Sequence, residues 1–151
     1  MDRETKIGEH RVVSKMGVPR LKVANIIEDG RIAGPQRRMI TVAHELEPRV
    51  STVLVIPSAD SEQMRRLCKE AEVSFVHIPI ARGGRGGRVL VTFLLSFLPD
   101  VLRIRTTLLN EGVDLVHVSG GAWQFKSIIA AKLGRLPVVW HLNDTAMPAV
   151  I

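Results

Sequence analysis

The chain contains no tyrosine, two tryptophans and four phenylalanines. That is too few rings to stack single-stranded nucleic acid, so no nucleic-acid partner is expected. It has a single cysteine, Cys68, which has no partner for an internal disulfide and no companions for a metal site. Cys68 falls at an apolar position of a predicted helix and reads as a buried structural thiol. Such usage suits a reducing compartment, the cytoplasm. The opening residues lack the apolar stretch of a signal peptide. The longest near-apolar run, residues 89–98, is too short to span a bilayer. The five histidines lack metal-ligand spacing, so neither a metal nor a resident cofactor is expected.

What is present suits one globular domain. Its 151 residues are 46% hydrophobic, enough chain to bury about two-thirds of the surface its unfolded form exposes. The formal charge of +6 favours anionic partners: phosphates, nucleotides or an acidic membrane surface.

Residues 1–20 read as a flexible basic arm closing at Gly17 and Pro19. Beyond it, short β-rich runs alternate with helical patterns. Strands are expected at 21–27, 51–56, 73–80, 113–118 and 137–142. The first helix should start at Pro35 with Gly34 as its cap, bury Met39, Ala43 and Leu46, and end at Pro48. The second should be capped by Asp60 with Gln63 three residues on, burying Met64, Leu67, Cys68 and Ala71. The third should run over 89–110 with a kink or restart at Pro99 and stop at Gly112. Its core spacing is Leu98, Val101, Leu102, Leu108 and Leu109. The fourth should span 122–133 and close at Gly134. Apolar strands joined by helices require a parallel sheet with right-handed crossovers. The expected fold is therefore a Rossmann-like, doubly wound α/β sheet of order 3-2-1-4-5.

Ligands of such sheets bind beyond the carboxyl ends of the strands, where strand order reverses. That rule singles out loops 28–34, 81–88, 119–122 and 142–146. The first, EDGRIAGPQRR, carries Gly30 and Gly34 but no dinucleotide fingerprint. Arg37 and Arg38 follow in the first turn of the helix, where positive charge opposes the dipole unless an anion lies near. They read either as an anion grip or as two solvated arginines. Ser119-Gly120-Gly121 admits close approach of a ligand to the backbone or a plain tight turn. His141 and Asp144 close the last strand in WHLND. His141 there either bonds a substrate and moves a proton or serves structure. His117, His44 and His77 read as structural. ARGGRGGR reads as a mobile basic loop beside the cleft, with membrane-surface contact as a second option.

The succession DGRIAGPQRR, GVDLVHVSGG and AAKLGRLPVVWHLND resembles the N-terminal domain of family 4 glycosyltransferases. These are retaining enzymes with two Rossmann-like domains, and the resemblance covers roughly residues 21–151. It implies that the N-terminal domain binds the acceptor and that a C-terminal domain holds the nucleotide sugar. It places Gly30, Gly34 and Arg37 near the donor phosphates and His141 against the transferred sugar. Either Asp144 or the Ser119-Gly120 turn then lines the acceptor cleft. The family's second domain, with its EX7E-type acidic motif, has no counterpart in these residues. The resemblance thus implies a truncated N-terminal domain over 21–151, whether fragment, shortened reading frame or remnant, inactive by itself unless a C-terminal domain, for instance one encoded separately, completes it. Its expected partners are a nucleotide sugar and a sugar or lipid-linked acceptor, at the inner membrane face. The alternative is a non-catalytic Rossmann-like protein that binds an anion or a polypeptide.

Overall fold

The computed structural model describes residues 20–47, 49–83, 86–121 and 123–142. Nine elements alternate strictly: β1 (Lys22–Ile26), α1 (Gly34–Leu46), β2 (Ser51–Pro57), α2 (Glu62–Glu70), β3 (Ser74–Ile78), α3 (Gly87–Asn110), β4 (Leu115–Gly120), α4 (Phe125–Leu133) and β5 (Val138–Leu142). The strands form one parallel sheet in the order β3-β2-β1-β4-β5. This is the expected fold class and order. The expected basic arm lies outside the described residues, apart from Arg20.

Helices pack on both faces of the sheet, leaving the β5 edge partly open on the α1 side. Alternation along each strand divides the core in two. Ala24, Ile26, Val53, Val55, Val116 and Val118 face α3 and α4, meeting Val101, Ile104, Leu108, Ala130 and Ala131. Leu54 and Ile56 face the other way, toward Met39, Ile40, Ala43, Met64 and Cys68 of α1 and α2. Cys68 is buried, and burial pushes its thiol up to about 11, so it is inert at neutral pH.

Several local expectations are corrected. The α1 cap is Ala33 rather than Gly34, and Gln36 does the capping work. Gln36 Oε1 accepts from the Ala33 N–H at 3.1 Å, and its Nε2 donates to the Asp29 carbonyl at 3.0 Å. Leu46 is exposed because the buried stripe is Gln36, Met39, Ile40 and Ala43, leaving Leu46 at the chain reversal. The expected stop at Pro48 falls outside the described residues. Ser61 rather than Asp60 precedes α2. Asp60 takes a left-handed φ of 54° to make the turn, and neither it nor Gln63 forms the expected capping box.

The third helix differs most. It is continuous through Pro99 and begins at Gly87, so Gly87 and Arg88 belong to it rather than to a loop. Pro99 removes the bond to the Leu95 carbonyl, on a side of the helix that faces water. Its buried residues are Phe93, Asp100, Val101, Ile104 and Leu108, whereas Leu98, Leu102 and Leu109 are exposed. Rotation explains the exposed three: they recur on a different side of the helix from Val101, Ile104 and Leu108, which meet the core. Length leaves the first half uncovered as well. Twenty-four helical residues span about 36 Å, and a five-residue strand spans about 17 Å. The sheet cannot cover such a helix. Gly112 does stop the chain's helical course, at φ 58°.

Ser119 and Gly120 end strand β4 instead of forming a turn, and α4 starts only at Phe125. The left-handed residue after α4 is Arg135 (φ 57°), with Gly134 still helical. Among the described residues no helix is long and apolar enough to cross a membrane.

Candidate functional site

Parallel strands bring all five carboxyl ends to one edge, and the order reverses between β1 and β4. Register then sets which side chains meet. Asn25 pairs with His117 across β1 and β4, and Ser119 pairs with His141 across β4 and β5. All four lie on the sheet face opposite Val116 and Val118, beside α1. The His117 Nδ1 and Asn25 Oδ1 are 3.0 Å apart. The two imidazoles stand edge to face with centroids 5.9 Å apart. Burial, then His141 and Arg38, hold His117 below its ordinary pKa, so it is neutral at physiological pH.

Arg38 ties α1 to this strip. Its Nη2 donates to Ser119 Oγ at 3.3 Å, and its Nη1 stands 3.5 Å from His141 Nε2. Ser119 is buried beneath the guanidinium, whereas Arg38 and His141 reach the surface. Ser119 therefore positions Arg38, and the accessible polar groups are Arg38 and His141. Arg37, one residue earlier, points toward α2 and lines a shallow recess with Ile40, Thr41, Leu67, Glu70 and Ala71. A second recess, between Ala43 and Val73, also lies on the α1–α2 side. Neither contains Arg38, Ser119 or His141.

The glycines of the site have distinct jobs. A Cβ on Gly30 would sit 2.8 Å from the Ala59 carbonyl oxygen, so Gly30 lets loop 28–34 lie against the turn after β2. Gly34 has open space above it. Gly120 holds φ 146°, and a Cβ there would strike the Gln124 side chain at 2.7 Å. The space at Gly120 is thus filled from within the fold. Asp144 lies outside the described residues.

The sequence reading missed a buried carboxyl beneath this edge. Glu28 follows β1 and is 1% exposed. Its Oε1 accepts from the Ser127 hydroxyl at 2.7 Å and the Ser127 N–H at 3.1 Å, while its own N–H donates to Gln124 Oε1 at 3.0 Å. Oε2 is buried without a partner. Burial raises Glu28 to about 7, against the opposing pull of the Ser127 bonds and of Lys126. A second buried group lies alongside. Lys126 Nζ donates to Asp100 Oδ2 (2.7 Å), the Ala81 carbonyl (2.8 Å) and Ser96 Oγ (3.1 Å), and sits 4.2 Å from the centroid of the Phe93 ring. An acid directly after the first strand and a lysine inside FKSIIAAKL were the available signals; both read locally as surface charge.

No protein-family model and no curated protein matches the sequence. Solved structures do share its fold. A glycosyltransferase from Rickettsia africae aligns over 87% of this chain and 32% of its own, at 15% identity and a TM-score of 0.65. HepE of Anabaena, in complex with UDP and glucose, aligns over 83% of this chain and 30% of its own, at 20% identity and a TM-score of 0.60. The C-terminal domain of the PF1911 hydrogenase of Pyrococcus furiosus aligns over 83% and 96%, at 17% identity and a TM-score of 0.59. The chain spans about a third of the two sugar-related proteins. At such identities the likeness is one of fold. This is a Rossmann-like α/β domain whose fold is shared with both the glycosyltransferase and the hydrogenase-domain structures.

Proposed function

We propose that this chain is the acceptor-binding N-terminal part of a retaining, family 4-type glycosyltransferase that draws on a nucleotide sugar. The observation that carries the reading is Arg38 set between Ser119 and His141 at the edge where strand order reverses. A guanidinium there meets an anionic diphosphate, and His141 beside it bonds a sugar hydroxyl. Of the two arginines, Arg38 takes the anion role because Arg37 faces α2. Loop 28–34, with Gly30 and Gly34, borders the donor side, and Gly120 and Asp144 border the acceptor. The acceptor is a sugar or a lipid-linked sugar, and the protein works in the cytoplasm at the membrane face. Charge developing on the leaving diphosphate needs groups aimed at it. The reading assigns those groups to a second domain, encoded separately or beyond these residues.

Calorimetry with UDP-glucose tests this. The 151-residue chain should bind only in the millimolar range, more weakly as salt rises, and should transfer no sugar. Arg38→Ala should weaken the binding further; Arg37→Ala should leave it unchanged. Micromolar binding or turnover by the chain alone would overturn the reading. A second reading, a non-catalytic anion- or protein-binding module, is favoured by the near-complete overlap with the hydrogenase domain, since one fold hosts many functions. Binding insensitive to Arg38 would favour it.

A further inference from the structure

The first half of α3 extends beyond the sheet. Between Gly87 and Leu98 only Phe93 is buried, while Val91, Leu94, Leu95 and Leu98 are exposed, Leu95 at 78% and Leu98 at 63%. Their spacing of three, one and three residues places them on one side of the helix, and Leu102 and Leu109 continue the stripe. A soluble helix normally turns such a stripe inward. Here the inward side is separate, formed by Phe93, Asp100, Val101, Ile104 and Leu108. The helix is thus apolar on two sides, and the outer one has no cover among the described residues.

Charge decides what suits that side. From Ala81 to Pro99 the chain holds no acidic residue and three arginines, Arg82, Arg85 and Arg88. The first acid is Asp100, which is buried and paired with Lys126 and Arg103. The helix therefore presents its positive end, with exposed Arg82 and Arg88 near it, next to a bar of leucines. Two copies meeting through this surface would bring like charges together. An interfacial helix combining a leucine face with a cationic flank suits anionic headgroups over acyl chains.

We propose that the overhanging half of α3 docks the protein onto an anionic lipid bilayer, with Val91, Leu94, Leu95 and Leu98 entering the acyl boundary and Arg82 and Arg88 meeting headgroup phosphates. The inference stands on α3 alone and does not depend on glycosyl transfer.

Flotation of the 151-residue chain with vesicles tests it. The chain should float with phosphatidylcholine vesicles containing phosphatidylglycerol and stay at the bottom with phosphatidylcholine alone. Raising the salt to about 0.5 M should release much of it. Leu95→Asp with Leu98→Asp should cut partitioning at least about tenfold, and Arg88→Gln about fivefold. Both leucines are exposed, so circular dichroism should report an unchanged fold. A Leu95→Trp variant supplies an independent signal, a blue shift of its emission when anionic vesicles are added. Failure to float with anionic vesicles, or binding unchanged by the double aspartate variant, would overturn the proposal. So would sedimentation showing a dimer that the double variant dissociates while vesicles go unbound, because the face would then belong to a second copy.

Discussion

Replacing Asp100 with alanine is expected to lower unfolding stability by about 3–5 kcal/mol. Lys126 is fully buried, and its carboxylate partner lies 2.7 Å away. Removing that partner leaves an ammonium in the interior held by the Ala81 carbonyl, the Ser96 hydroxyl and the Phe93 ring, with the Glu28 carboxyl as its remaining acidic neighbour. A domain of this size is stable by about 5–15 kcal/mol in total, so the loss should show as a midpoint drop of about 10 °C. The double change Asp100→Ala with Lys126→Met should recover most of it, because no buried charge remains. Denaturant unfolding of the three proteins checks this. A cost below about 1 kcal/mol for Asp100→Ala would mean the pair is solvated. The pair also fixes the cleft rim: Asp100 Oδ2 accepts from the Ala81 N–H at 2.9 Å, so both polar groups of the Ala81 backbone are bound where the chain leaves β3 for the arginine-glycine loop.

The Glu28 carboxyl should make stability fall as pH rises. Its folded value of about 7 exceeds its ordinary value of 4.5. A raised acid is most favourable below its unfolded pKa, and its contribution is lost as pH climbs to its folded one. The slope therefore runs between pH 4.5 and about 7 and amounts to about 3 kcal/mol. Glu28→Gln removes the ionisation and keeps an Oε1 that accepts both Ser127 bonds. The variant should match the parent within about 1 kcal/mol at pH 4.5 and exceed it by about 3 kcal/mol at pH 8. Urea unfolding across that range measures the difference. Parallel pH profiles would show that the carboxyl is not held in its neutral form.

The sheet was legible because its signals are local and repeated: apolar runs, turn residues and a handedness rule that permits few orders. The polar interior was not. Lys126 and Asp100 are 26 residues apart, and Glu28 and Ser127 are 99 apart. No spacing rule connects such pairs, so each member reads alone as a solvated charge. The third helix shows a different limit. Periodicity reveals apolar stripes, but on a helix with two of them it does not say which meets the sheet. Leu98, Leu102 and Leu109 belong to the outer one, because the rotation of α3 turns Val101, Ile104 and Leu108 toward the core. At the candidate site, His141 and Ser119 were singled out by their place near strand ends. That Arg38 rather than Arg37 lies beside Ser119 and His141 follows from the helix rotation set by Met39 and Ala43.

Amide and imidazole chemical shifts of the isotopically labelled chain, followed while UDP-glucose is added, test the central claim most directly. The account predicts fast-exchange shifts centred on Arg38, His141 and loop 28–34, abolished by Arg38→Ala. Shifts centred instead on Arg37, Glu70 and the recess between α1 and α2, or an undisturbed carboxyl edge at saturating ligand, would contradict it.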